Sequence, residues 1–175
     1  VKKYGTGTGG ARMLAGTNQL HRQLENKIAR FKGKEAALTC SSGYMANLAA
    51  INTLIQKTDR VIADEFVHRS LIDALSMAQL EFDKCRHNDM EHLEELLQKP
   101  STARRTFIIV EGIYSMEGDI CPLPEIVALK KKYSAYIILD ESHALGVLGA
   151  TGRGTDEHFG ISPDEIEIIT CAMSK

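Results

Sequence analysis

Gly43, His68, Asp140, His143 and Lys175 lie far apart in the chain, yet together they are the residue types that hold a charged aromatic ligand and work on it. A glycine at a helix start leaves backbone N–H groups free, and the helix dipole favours an anion there, most commonly a phosphate. Asp140 follows the apolar run Tyr136-Ile137-Ile138-Leu139. Its carboxylate is therefore expected to be partly desolvated and to need a cation or several hydrogen bonds, and a protonated ring nitrogen would serve. His143, three positions on, shares that pocket if the turn is tight. His68 can lay a flat ring against a ligand, and Lys175 offers an amine. Taken singly, each has an ordinary alternative: a strand-to-helix turn, a capping aspartate, a hydrogen-bonded core histidine, a solvated lysine tail.

The elements that must position these residues are legible in the apolar pattern. Leu20, Leu24, Ile28 and Phe31 mark one face of a helix over Asn18–Lys32, with Thr17 or Asn18 to cap it and Gly33 to end it. Ala36–Cys40 suits a strand and Tyr44–Ile55 a buried helix. Further strands are expected at Arg60–Ala63, Glu81–Arg86, Thr106–Val110, Tyr136–Leu139 and Ile166–Thr170, and helices at Leu71–Leu80, Met90–Leu97 and Ile126–Tyr133. This alternation predicts an α/β fold with a mostly parallel sheet flanked by helices, as one continuous piece without repeat or linker. In such a sheet, ligands bind beyond the C-terminal strand ends. That rule selects Ser41–Tyr44, Asp64–His68, Glu111–Ser115, Asp140–His143 and Ser174–Lys175.

Composition narrows the function classes. A chain of 175 residues suits one ordinary domain, and 43% hydrophobic with 25% charged residues argues against disorder. A net charge of −2 leaves no basic excess for nucleic acid, and no apolar run approaches the ~20 residues of a membrane helix. The chain starts at Val1 without a signal-like stretch. The expectation is a cytoplasmic chain that is incomplete at its N-terminus. Cys40, Cys85, Cys121 and Cys171 form no C-x-x-C pair, so reduced core thiols are expected rather than a metal site or disulfides.

A phosphate turn, a stacking histidine, an acid for a ring nitrogen, a second histidine and a lysine amine are, in this order, the parts that hold pyridoxal 5'-phosphate. The sequence resembles the α-oxoamine synthase family of fold-type-I pyridoxal-phosphate enzymes, which includes serine palmitoyltransferase and 8-amino-7-oxononanoate synthase. The resemblance is carried by Gly5–Arg12, Ser42-Gly43-Tyr44-Met45-Ala46-Asn47, His68, Glu111–Asp119, Asp140-Glu141-Ser142-His143, Gly149–Gly154 and Ser174-Lys175.

The resemblance implies a role for each matching residue. Ser42, Gly43 and Tyr44 bind the cofactor phosphate, the last two through backbone N–H groups. His68 stacks on the ring, Asp140 pairs with its nitrogen and His143 bonds its phenolic oxygen. Ser115 and Glu111 stand near the ring, and Lys175 forms the covalent Schiff base. Ala172 departs from the family's Thr or Ser, which puts the phosphate contact in doubt. The resemblance further implies condensation of an amino acid with an acyl-CoA, with decarboxylation, in a homodimer. Residues 1–175 then form the central part of the large cofactor domain, without the N-terminal segment and the C-terminal small domain, so that this piece alone is inactive. Two rivals stay open: another fold-type-I enzyme such as an aminotransferase or lyase, and a non-catalytic partner subunit.

Overall fold

The computed structural model describes residues 1–3 and 5–175. Two compact units, Val1–Thr39 and Cys40–Lys175, replace the single continuous piece expected from the sequence. In the first, helix α1, Gln19–Lys32, starts where the Asn18 side chain accepts from the N–H groups of Leu20 and His21, and it ends at Gly33 with φ of 64°. Its apolar stripe is largely open, with Leu20, Leu24 and Phe31 exposed. Ala36–Cys40 is not a strand. The N–H and hydroxyl of Thr39 donate instead to the Glu25 carboxylate at 2.9 and 3.0 Å, which also holds Arg12 at 2.7 Å. A side chain thus takes the place of a ladder partner.

The second unit is a parallel sheet of five strands: β1 Arg60–Asp64, β2 Asp83–Cys85, β3 Thr106–Glu111, β4 Tyr136–Asp140 and β5 Ile168–Thr170, in the order β2-β1-β3-β4-β5. Interior β3 and β4 are apolar on consecutive positions, and Phe107–Val110 and Ile137–Leu139 are all buried, as strands covered on both faces must be. The helices are α2 Gly43–Leu54, α3 Arg69–Met77, α4 Met90–Gln98, α5 Leu123–Tyr133 and the short α6 Thr155–His158. α2 packs on α3 and α4 on α5.

Several expected bounds shift for local reasons. α2 is less buried than its composition suggests: only Asn47 and Ile51 are buried, while Tyr44, Met45 and Leu54 are exposed. β5 starts two residues late because Ile166 closes a 3-10 turn over Pro163–Glu165. All four cysteines are free, and Cys85 and Cys121 are buried, but Cys40 is exposed and Cys171 half-buried. No helix among the described residues is long and apolar enough to cross a membrane, and none of their His, Cys, Asp and Glu side chains cluster as a metal site.

From β1 the chain crosses to β2 on one side, then returns to build β3, β4 and β5 on the other. The strand order therefore reverses between β1 and β3, where the loops leaving the carboxyl ends diverge and open a crevice.

Candidate active site

That crevice holds a pocket of about 250 Å³. Its floor is made by the ends of the two central strands: Glu111 closes β3, Asp140 closes β4, and the two are register partners. Both carboxyls are buried. The Asp140 carboxylate accepts from the Ser142 N–H at 2.9 Å and from Asn47 Nδ2 at 2.7 Å. His68 caps α3, its Nδ1 accepting from the Ser70 N–H, while its own N–H donates to the Glu111 carboxyl. His143 and Lys175 meet at 2.9 Å between Nε2 and Nζ. The helix end at Gly43 and Tyr44 forms one wall.

Glu111 and His143 have displaced proton affinities. Burial, and then the charge on Asp140, push the Glu111 carboxyl up to about 8. Two carboxyls side by side in a poorly solvated place cannot both ionise cheaply, so Glu111 keeps its proton at neutral pH. Burial and the Lys175 charge lower the His143 imidazole, which suits an Nε2 that accepts from the lysine ammonium.

The Glu111 shift predicts a pH dependence of stability. A carboxyl whose affinity is raised on folding binds its proton more tightly in the native state. Stability is therefore full below about 4.5 and falls as pH rises through about 8. Glu111→Gln keeps the shape and the acceptor but cannot ionise. In urea melts of cofactor-free protein at pH 5, 7 and 9, the native protein should lose a few kcal/mol across the series, and the variant should lose much less. Parallel curves would show that Glu111 titrates normally.

The pocket gathers Gly43, Tyr44, His68, Glu111, Asp140, His143 and Lys175 from the residues selected by sequence. It does not gather Ser42, whose side chain caps α2 by accepting from the Met45 N–H. Nor does it gather Ser115, exposed on the loop after β3. That loop is tied down by His87, which donates to Asp64 and Asp119 at 2.9 Å each. Burial works against the charge on His87, but the two carboxylates prevail and raise its proton affinity.

Sequence reasoning did not assign Asn47, Ser70 or Ser142 a role, yet all three line the pocket beside Ala172 and Ser174. Their signal was present. Ser70 stands two residues beyond His68, Ser142 lies within the selected stretch Asp140–His143, and Asn47 is a polar residue one turn beyond Gly43 in an apolar helix.

Gly43 is fixed by a close approach. A Cβ there would lie 2.8 Å from the Cβ of Ala172, nearer than two methyl groups can stand. Gly43→Ala should therefore cost about 1–3 kcal/mol through overpacking, and adding Ala172→Gly should recover most of it. Thermal melts of the single and double variants check this; an additive second loss would mean that the strain lies elsewhere.

Residues 1–175 match the family model described as aminotransferase class I and II. The chain belongs to that family. Its likeness within the family is to the α-oxoamine synthases, as the motifs implied. It is 44% identical over 166 residues to a putative 8-amino-7-oxononanoate synthase of Bacillus licheniformis, covering 95% of this chain and 44% of that protein. It is 45% identical to the serine palmitoyltransferase of Bacteroides thetaiotaomicron, covering 100% of this chain and 44% of that one. Among solved structures it superposes on a serine palmitoyltransferase from S. paucimobilis carrying a PLP–myriocin aldimine, with a TM-score of 0.92 and 39% identity, over 97% of this chain and 42% of that one. The chain thus spans less than half the length of these family members.

Proposed function

We propose that the protein is a pyridoxal-phosphate-dependent acyltransferase that condenses an amino acid with an acyl-CoA, releasing CoA and carbon dioxide and forming an α-oxoamine. The observation that carries this reading is the pairing of Asp140 and Lys175 on one small pocket whose wall is a helix N-terminus. The residues fit the cofactor. The first-turn amides of Gly43 and Tyr44 have no carbonyl partner within their helix and suit a phosphate. The Asp140 carboxylate, held by two donors, suits a protonated pyridine nitrogen. His68 supplies a flat ring, and the Lys175 amine would hold the aldehyde carbon covalently. Ala172 brings no hydroxyl to the phosphate; Ser174, also on the pocket, is the nearest substitute in sequence.

When bound, pyridoxal phosphate supplies an electron sink that lets the α-carbon of an amino acid act as a nucleophile. The chain's own residues do the rest. Lys175 Nζ, once free, takes the α-proton as general base. His143 Nε2, 2.9 Å from that amine, accepts its hydrogen bond and fixes its direction. Glu111, protonated, keeps a second negative charge away from Asp140. We further propose that residues 1–175 form the central part of a large cofactor domain, that the working enzyme is a homodimer, and that it is cytoplasmic.

The test uses full-length protein with pyridoxal phosphate. CoA release is followed with glycine, alanine and serine against acyl-CoAs of graded length, with mass analysis of the products. Amino-acid-dependent CoA release supports the reading. Cofactor binding without CoA release from any pair overturns it in favour of another reaction of the family. Failure to bind cofactor points to a non-catalytic subunit.

A further inference from the structure

Asp140 and His68 are joined by two side chains that have so far had no role. Asn47 Nδ2 carries two hydrogens. Asp140 Oδ2 accepts one at 2.7 Å and Ser70 Oγ accepts the other at 2.8 Å. Ser70 Oγ lies 2.7 Å from His68 Nδ1. Asn47, Ser70 and Asp140 are all buried, at 2%, 1% and 3% exposure.

The chain has a direction. The Asn47 amide cannot be turned over, because that would set its oxygen against a carboxylate oxygen at 2.7 Å. With its nitrogen fixed toward Asp140, its second N–H donates to Ser70 Oγ. The Ser70 hydroxyl then has its single hydrogen left for His68 Nδ1. The Ser70 backbone N–H points at the same nitrogen from 3.2 Å. Two donors converge on Nδ1, so it is the acceptor, and the ring's hydrogen sits on Nε2. The arrangement has a cost: Asn47 Oδ1 is buried without a partner among the described residues. An orphaned acceptor in so enclosed a place is tolerated when the opposite end of the group makes bonds that matter.

We propose that Asn47 and Ser70 are positioning residues: they link Asp140 to His68 in a one-way hydrogen-bond chain that fixes the carboxylate and keeps the His68 hydrogen on Nε2. The chain is a property of the protein without cofactor; its use, to register the groups that grip the ring at its edge and on its face, rests on the function proposed above. Asn47 stands on α2, Ser70 on α3, Asp140 on β4 and His68 before α3. The link therefore couples three elements, one of which also carries the phosphate-facing amides.

Two measurements on full-length protein separate this from the functional reading. The first is NMR of cofactor-free protein labelled with 15N-histidine, with His68 assigned by its loss in His68→Gln. The native ring should show an unprotonated Nδ1 and a protonated Nε2. In Asn47→Leu the Ser70 backbone N–H still points at Nδ1, so the tautomer should stay while the Nδ1 resonance moves as the released Ser70 hydroxyl turns, and Ser70→Thr should keep the native pattern. A native Nδ1–H ring, or an unmoved Nδ1 resonance in Asn47→Leu, overturns the chain. The second is a fluorescence titration with pyridoxal phosphate. Asn47→Leu should bind about tenfold or more weakly, as loss of a hydrogen bond to a charged group does, and Ser70→Thr should stay within about threefold of native. Equal affinity in Asn47→Leu overturns the positioning of Asp140. Should native protein bind no cofactor, the functional reading fails, and the tautomer alone decides the chain. If Asn47→Leu does not fold, the native tautomer and the Ser70→Ala variant decide it.

Discussion

Lys175→Ala should abolish turnover and the visible band that the covalent lysine link gives the cofactor-loaded protein, while cofactor remains bound through its other contacts. Three separate tasks fall on this one amine, which explains the size of the effect. It is the group proposed to hold the cofactor's aldehyde carbon, and it is the base for the substrate's α-proton. It is also the partner of His143 Nε2 at 2.9 Å. General-base catalysis alone contributes about 10²- to 10⁴-fold, and the remaining tasks add to that loss. The helix-end amides and Asp140 are untouched by the substitution, so the affinity for pyridoxal phosphate should fall much less than the rate. A spectrum taken before and after addition of cofactor, with a CoA-release assay on the same sample, measures both. If the variant keeps its visible band and its activity, the covalent link lies on another residue.

The variant also reports on His143. With the Lys175 charge gone, one of the influences that lower this imidazole is lost, while burial, the largest, and the His68 charge remain. Its titration midpoint should move up in Lys175→Ala. That movement separates an electrostatic pairing from mere proximity.

The sheet was legible because β3 and β4 carry unbroken apolar runs, Phe107–Val110 and Tyr136–Leu139, and such runs have little other use in a protein that mixes strands with helices. Their polar ends stood out for the same reason: Glu111 and Asp140 interrupt hydrophobic runs, so they mark the edge of the core. The run at Ala36–Cys40 has a similar look but a different fate. It is shorter on large apolar side chains, Leu38 is exposed, and Glu25 from α1 takes its backbone N–H at Thr39. Nothing in the local pattern announces that competitor. α1 shows the converse limit: its stripe has helical spacing and its caps fall as expected, yet spacing says which residues share a face and nothing about what covers it.

Within the pocket, the residues proposed to touch a ligand were easier to see than those that hold them. Functional types such as Lys, His and Asp are scarce and conspicuous after strands. Asn47 and Ser70 are common types inside helices, and their importance lies in a contact spanning 93 positions, from Asn47 to Asp140. Sequence spacing carries no trace of such a contact. It becomes visible only when α2 and α3 pack together beside β4.

Asp140→Ala tests that packing and the chemistry together, and should lower turnover by about two to four orders of magnitude. The estimate follows from breaking a buried pair between a carboxylate and a protonated ring nitrogen, about 3–5 kcal/mol. Most of that cost comes from leaving the surviving charge without a counter-ion. Alanine also strands the two donors that now end on the carboxylate, the Ser142 N–H at 2.9 Å and Asn47 Nδ2 at 2.7 Å. Each unmet buried donor costs about 1–3 kcal/mol, so part of the loss should appear as lower stability of the cofactor-free protein. Asp140→Asn divides the two effects. One amide oxygen can still receive one donor, so most of the stability returns, while the ionic partner for a ring nitrogen does not, and turnover should stay low. Asparagine further removes the neighbouring charge that helps to hold the proton on Glu111. The fall in stability with rising pH should therefore become shallower, with burial and the more distant Asp64 charge sustaining what remains. A variant with low turnover, near-native stability and a flattened pH profile is the combined outcome that an ion-pairing role for Asp140 requires; native turnover in Asp140→Asn would place the ring nitrogen's partner elsewhere.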